Sequence, residues 1–286
     1  MASQVAGHTI NVLMISSIYV LVALGFALVF SVMRIMNFAH GAIYMIGGFI
    51  CYAFWVTLGL GPWAGLLLAM LVTGLFGLFV EKFCFRPFQR DFEKATLMAI
   101  ALVIVLKTTA DLTVGPLSRS MPPIVPGSVR IGTIVLGADR LTVFLIAAAL
   151  LTAFTLLVQK TKMGQAMLAI AHDPEAASLM GINTHRISAL VCATGCGLAG
   201  LAGGLVGSVL VLHVMIADTM LVKVIEVVIL GGIGSIGGIW AGGLAMGVVD
   251  GLGPYFLPAV FSEPLGLALV IAILVIRPQG FYGHGM

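Results

Sequence analysis

The chain has 286 residues, 60% of them hydrophobic and only 9% charged, with a formal net charge of +3 and a mean hydropathy of +1.17. Soluble domains carry roughly 45–50% apolar and about 25% charged residues, so a water-soluble globule is excluded and lipid must be the main solvent. The apolar runs are continuous rather than alternating, which excludes a transmembrane β-barrel and points to an all-α, polytopic membrane protein; the small net charge gives no reason to expect a nucleic-acid partner.

The opening "MASQVAGHTI" lacks a basic n-region, and the apolar run after it is longer than a signal-peptide core, so it reads as a retained first span. Candidate spans are 10–33, 41–59, 63–83, 95–114, 141–158, 187–212 and 264–277. Residues 220–253 also span but are interrupted by glycines; pieces 220–230 and 239–253 crossing separately give eight or nine segments. The segment 264–277 is short against the roughly 20 residues of a spanning helix. Cys51, Cys84, Cys192 and Cys196 lie in or beside apolar runs without CxxC spacing and read as small apolar packers.

Charge sets the expected orientation. The loop "EKFCFRPFQRDFEK" (81–94) carries Lys82, Arg86, Arg90 and Lys94, and the loop 159–186 carries Lys160, Lys162 and Arg186. Basic loops face the cytoplasm. Two spans separate them, so both fit on one side, with the N-terminus outside and Arg34 on the cytoplasmic half. Nine segments would also place Arg277 and the C-terminus in the cytoplasm. Loop 114–140, with Pro116, Pro122, Pro123 and Pro126, reads as an ordered external loop or small hairpin. No segment is large enough for a separate soluble domain, so residues 1–286 form a single membrane domain.

Two stretches break the apolar pattern. The first is "RIMNFAHGAIYMIGG" (34–48). Polar groups in a bilayer cost free energy unless they are paired or face water. Asn37 and Gly41 would share a face on a continuing helix; a break near 37–41 would instead free backbone groups that need a cavity or protein partners. Two readings stay open: Asn37 and His40 tie helices together, or they line or gate a permeation path. The second stretch is "LGGIGSIGGIWAGG" (230–243), where Gly231, Gly232, Gly234, Gly237, Gly238, Gly242 and Gly243 argue against a straight helix and for a re-entrant or unwound segment. Interrupted hydrophobic segments in the two halves of a transporter point to its pathway. The candidate pathway residues are Asn37, His40, Gly41, Glu226, Gly231, Gly232, Gly234 and Ser235.

Other features have plainer uses. Gly200/Gly204, Gly203/Gly207 and Gly243/Gly247/Gly251 have the small-xxx-small spacing that lets helices pack closely in lipid. Lys107/Asp111 and Lys223/Glu226 are spaced to neutralise each other within their helices. Glu226 lies one turn before the glycine break, which makes a pathway role more plausible there. Asp250, near a span end, is expected to reach water. In "QKTKMGQAMLAIAHDPEAASLMGINTHR" (159–186), Asp173 can cap a helix 174–180 that begins with Pro174, has Glu175 at its positive end and stops at Gly181. Its small-residue face would pack on the protein's own loops or dock into a partner's groove.

"EAASLMG" resembles the coupling motif of ABC importer permeases. Together with "MRIMNFAHGAIYMIGG", the glycine run and the terminal "VIRPQGFYG", it makes the chain resemble, in matching order and over essentially its whole length, the LivH-type permeases of the branched-chain amino acid branch of that superfamily. The resemblance implies a transmembrane permease subunit in a bacterial inner membrane, moving branched-chain or other amino acids by alternating access. It implies a second, related permease as a heterodimer partner, two ATP-binding subunits at the cytoplasm and a periplasmic substrate-binding protein. Asp173, Glu175, Ala176, Ala177 and Gly181 would form the coupling helix in an ATPase groove. No cofactor is expected in this chain: GxxxxGK[ST] is missing, which leaves ATP and Mg to the partners. Nor is catalysis expected. His8, His40, His172, His185, His213 and His284 are scattered, without HExxH, and no GxSxG occurs. One departure is Ala42, where family members often carry an acidic residue. It keeps open the same architecture acting on urea, amides or aromatic and other organic acids. A self-sufficient secondary transporter or channel, with an ion site at Glu226 or Lys107/Asp111, stands further behind.

Overall fold

The structure, a computed structural model, describes residues 2–282 except 90, 116, 132, 133, 233, 257, 259 and 260. Arg90, Pro116 and His284, named above, lie outside the described residues. Helices α1 (Ala2–Met33), α2 (His40–Tyr52), α3 (Pro62–Phe79) and α4 (Phe92–Val114) precede a hairpin of β1 (Ser128–Ile131) and β2 (Ile134–Gly137). Then follow α5 (Ala138–Lys160), α6 (Lys162–His172), α7 (Pro174–Leu179), α8 (Thr184–Gly207), α9 (Ile216–Gly231), α10 (Ile236–Phe256) and α11 (Ser262–Ile276).

Among the described residues, six segments are long and apolar enough to cross a membrane: Gly7–Met33, His40–Thr57, Pro62–Phe88, Phe92–Val114, Ala138–Lys160 and Thr184–Gly207. The apolar helices α9, α10 and α11 add to these, in keeping with eight or nine segments. The chain is a multi-pass, all-α membrane protein; its only described strands are the short antiparallel hairpin that the proline-rich 114–140 stretch leads into.

The expected loop 81–94 is mostly helical. Helix α3 continues through a π-helical stretch, Val80–Phe85, and a 3-10 turn, Arg86–Phe88. The widened turn buries the Glu81 carboxylate, which accepts from Arg86 Nε at 3.1 Å and Nη2 at 2.7 Å. A bidentate guanidinium supplies the charge and both hydrogen bonds that a buried carboxylate needs.

Helix α1 is the hub, packed against α5, α8, α9 and α10. It is the most buried of the six long spans, yet its mean hydropathy of 2.6 equals that of the largely exposed α5. Close packing depends on small residues, as their spacing suggested. Gly243, Gly247 and Gly251 of α10 receive Val20, Ser16 and Val12 of α1, and Gly203 meets the Tyr44 carbonyl. One of the closest crossings joins α2 and α8: a Cβ on Gly47 would stand 2.1 Å from the Gly200 Cα. All four cysteines are free, and Cys51, Cys192 and Cys196 are buried in the packing.

The hairpin end is stitched to the helices. Arg119 and Leu212 exchange backbone hydrogen bonds of 2.8 Å, and Asp139 accepts from the Ile124 amide at 2.7 Å.

At Gly47 backbone stands on the other side, so no side-chain rotation can make room. Gly47→Ala is expected to cost about 1–3 kcal/mol or more, read as a lowered melting temperature in detergent; an unchanged melt would show that the α2–α8 crossing is looser than this.

Candidate functional site

The first break is real, and it turns the chain back. Helix α1 stops at Met33, and Arg34, with φ +53°, donates its amide to the Phe30 carbonyl at 2.7 Å. It fills the left-handed position at a helix end that glycine usually takes. Residues 34–37 are irregular. His40 then opens α2 with its Nε2 3.1 Å from the Val22 carbonyl. Since a carbonyl only accepts, Nε2 carries the proton. Val22 lies eleven residues before Met33, so α2 begins about 16 Å back along α1, deep within the helical layer. Asn37 and Gly41 therefore do not share a helix face, because Asn37 precedes the helix that holds Gly41. Asn37 is 1% exposed, and neither amide atom has a hydrogen-bond partner. Gly41 touches α9, where a Cβ would stand 2.2 Å from the Ala217 carbonyl.

The second break is narrower than the glycine run. Helix α9 ends at Gly231, the left-handed Gly232 and Gly234 make the turn, and the Ser235 hydroxyl accepts from the Gly238 amide at 3.1 Å. Gly237, Gly238, Gly242 and Gly243 are helical; Gly238 packs on Gly231 and Gly242 on Val227, which makes α9 and α10 a tight antiparallel hairpin. The carbonyls freed at the end of α9 are taken by the chain's own tail: Phe281 donates to Leu230 at 2.8 Å and Tyr282 to Gly231 at 3.2 Å.

Buried charges cluster between α1, α9, α10 and α11. The Lys223 ammonium lies 3.1 Å from Asp250 and 3.3 Å from Glu226, and the Tyr19 hydroxyl donates to Asp250 at 2.7 Å. Gly266 of α11 covers the ammonium; a Cβ there would stand 2.9 Å from Nζ. The Lys223–Glu226 pairing matches the expectation from spacing, while Asp250, 11% exposed, turns inward to an ion pair rather than outward to water. Packing of α10 on α9 and α1 turns it inward, to Lys223 and Tyr19. Lys107 is also paired differently. It joins Asp218 of α9 rather than Asp111, which is exposed in the last turn of α4.

Two cavities flank α1. A smaller one of about 130 Å³ lies between α1, α2, α8 and α9, with Met14, Ile18, Tyr44, Val206, Thr219 and Lys223 in its wall. A larger one of about 850 Å³ lies between the end of α1, α6 and the start of α10, where Arg34, His172, Gly234, Ser235 and Tyr282 meet. The smaller cavity borders α1 at Met14, Ile15, Ile18 and Tyr19, and the larger one borders its last turns, from Leu24 to Arg34. The two breaks meet at the larger one through Arg34, Gly234 and Ser235. Asn37 is buried, His40 meets α1 and Gly41 meets α9, and none of the three lines either cavity; Gly231 ends α9 and Gly232 begins the turn to α10, and Glu226 belongs to the ion cluster. Tyr19, Tyr44, Thr219 and Asp250 were not among the expected pathway residues. A hydroxyl or carboxylate inside an apolar run was the available signal. Among the described residues, no group of three or more His, Cys, Asp or Glu is placed to hold a metal.

The segment 159–186 is built of two helices, with α6 preceding the expected one. Asp173 caps α7 by accepting from the Glu175 and Ala176 amides at 2.9 and 3.0 Å. Gly181, φ +83°, ends it, with Gly181 N–H bonded to Ser178 and Ile182 N–H to Ala177. That is the paired bonding of a Schellman motif. Ala177 is buried, while Leu179 and Met180 are 87% and 83% exposed. One residue, Asp173, separates α6 from α7, so the wall of the larger cavity leads directly into this exposed helix.

A multi-pass helical protein with broken helices and internal cavities is of the membrane permease class. Its sequence matches, over residues 8–277, the family described as branched-chain amino acid transport system permease component, and the chain belongs to that family. It is 30% identical over 289 residues to the high-affinity branched-chain amino acid transport system permease protein LivH of Salmonella typhimurium, covering 96% of this chain and 94% of that one. It is 29% identical to BraD of Pseudomonas aeruginosa, with the same coverage, and 27% identical to a probable LivH of Methanocaldococcus jannaschii, covering 94% of this chain and 89% of that one. No solved structure matches.

Removing Lys223 would leave the largely buried Asp250 and Glu226 carboxylates without their shared cation. Lys223→Met is expected to destabilise by about 3–5 kcal/mol. Glu226→Gln keeps the Lys223–Asp250 pair and should cost clearly less. Thermal melts of the two variants in one detergent check the order.

Proposed function

We propose that this chain is the membrane-spanning permease subunit of an ABC importer for branched-chain amino acids. The observation that carries the reading is the family match along almost the whole chain, joined to an exposed, doubly capped helix that leads straight from a cavity wall. Relatives named for branched-chain amino acid transport support the substrate class. Ala42 is 1% exposed beneath packed helices, so an acidic residue there would need a buried partner, and its replacement by alanine suits a neutral, packed position.

In this reading the end of the molecule bearing α6, α7 and the C-terminal tail faces the cytoplasm. Lys82, Arg86, Lys160, Lys162 and Arg186 support that assignment; the hairpin and the N-terminus then face outward. Residues 1–286 act as one membrane domain. Two ATP-binding subunits receive α7, with Asp173, Glu175, Ala176, Ala177 and Gly181 holding its shape and Leu179 and Met180 as the apolar contact. They bind ATP and Mg, and this chain hydrolyses nothing. A second, related permease completes the membrane unit, and a binding protein delivers the substrate from outside.

Closure of the ATPases would carry α7 and α6 as one lever, change the larger cavity and switch access from one side to the other. Arg34, Gly234 and Ser235 would line that cavity. Asn37, His40, Gly41, Glu226, Gly231 and Gly232 would form the packed joint that permits the switch.

Gentle purification from native membranes with mass spectrometry is the first test. Two ATPases and a second permease should accompany the chain, and an active homo-oligomer without them would overturn the reading. No side chain lies near the Gly181 Cβ position, so Gly181→Val strains only the left-handed turn, by about 1–2 kcal/mol. It should insert normally yet lose most transport-coupled ATP hydrolysis; wild-type coupling would count against the docking role of α7. Asn37→Leu removes a buried amide without internal partners, so a purely structural role predicts an unchanged or raised melting temperature. A drop in uptake at that stability would assign Asn37 to the transport cycle.

A further inference from the structure

The smaller cavity has the makings of a binding site inside this subunit. Met14, Ile18 and Val206 give it an apolar body, and its volume of about 130 Å³ is close to that of engineered apolar cavities that take up benzene. An isobutyl or sec-butyl side chain is of that size. Its polar groups are few. The Tyr44 hydroxyl is fully buried and has no hydrogen-bond partner. A buried native hydroxyl left unpaired needs an explanation, and this one belongs to a residue of the cavity wall. Thr219 and Lys223 share that wall.

Lys223 has three N–H donors. Asp250 at 3.1 Å and Glu226 at 3.3 Å occupy two directions, which leaves one for a further acceptor. Tyr44 and Lys223 together thus offer a hydroxyl and an ammonium to an anion. Behind Lys223 stand the Asp250 and Glu226 carboxylates, which attract an ammonium nearby.

We infer that this cavity is a transient binding site for an aliphatic zwitterionic amino acid: the side chain fills the space between Met14, Ile18 and Val206, and the carboxylate accepts from Tyr44 and Lys223. The Asp250 and Glu226 carboxylates attract the ligand's ammonium. The site rests on the importer reading and deepens it, because the permease itself then sorts side chains by size after the binding protein has released them.

The Tyr44 hydroxyl makes no bond within the protein, so Tyr44→Phe is a clean probe. If the hydroxyl has no ligand, its loss leaves the fold as stable or more so and uptake unchanged. The test uses the complete importer in liposomes, with its ATPases and saturating leucine-loaded binding protein. Tyr44→Phe should lower leucine uptake about tenfold or more, the value of a hydrogen bond to a charged group, at an unchanged melting temperature. Ile18→Ala enlarges the cavity and should raise the phenylalanine-to-valine uptake ratio several-fold in the same vesicles. Wild-type uptake by Tyr44→Phe together with a wild-type ratio for Ile18→Ala would overturn the site while leaving the importer reading intact. Failure of the unaltered complex to take up any branched-chain amino acid would overturn the importer reading itself.

Discussion

Backbone contact between helices is the constraint on which this structure rests. Lipid tails are as apolar as leucine, so burying an apolar side chain between two helices gains little over leaving it in the bilayer. What holds the helices is close van der Waals approach, and that needs surfaces with no Cβ in the way. Gly47 on Gly200, Gly25 on Gly195 and Gly238 on Gly231 bring α2 to α8, α1 to α8 and α10 to α9 at backbone distance. Each contact fixes a crossing point, and the crossing points fix where the cavities can exist.

The irregular segments follow the same logic. A break in a membrane helix frees backbone groups that only protein or trapped water can satisfy. The break after α9 is closed by the C-terminal tail through Phe281 and Tyr282. The break after α1 is folded against the interior, with His40 bonded to Val22. One consequence is that α2 starts deep in the layer, beside Ala217 of α9 and next to the wall of the smaller cavity. Helix capping does at the water-exposed end what tail and histidine do inside: Asp173 caps the start of α7 and Gly181 its end, while Ala177 anchors it to the core.

Electrostatics adds a second clamp. A lysine buried with two carboxylates and a tyrosine ties three helices, α1, α9 and α10, at one point. Such clusters are costly to desolvate and costly to disrupt, which makes them good anchors and poor places for random substitution. Here the anchor borders a cavity with an unpaired hydroxyl, so the group that holds the helices together is also in reach of anything that enters.

The sequence by itself determined the solvent, the approximate spans, the two breaks, the α7 cap and stop, and the small-residue stripes, because each depends on local composition or on spacing along one helix. The 81–94 segment reads as a loop in sequence because its aromatic and charged residues hide a helix that continues through a π-helical turn. Tertiary structure alone decided which apolar helix is core and which faces lipid: α1 and α5 share a hydropathy of 2.6 yet differ widely in burial, since lipid leaves no amphipathic period to read. It also decided charge partners. Local spacing offered Asp111 to Lys107 and water to Asp250, whereas the packed helices supply Asp218 and Lys223. The cavities are likewise tertiary objects, because Tyr44, Thr219 and Met14 become neighbours only when three helices cross.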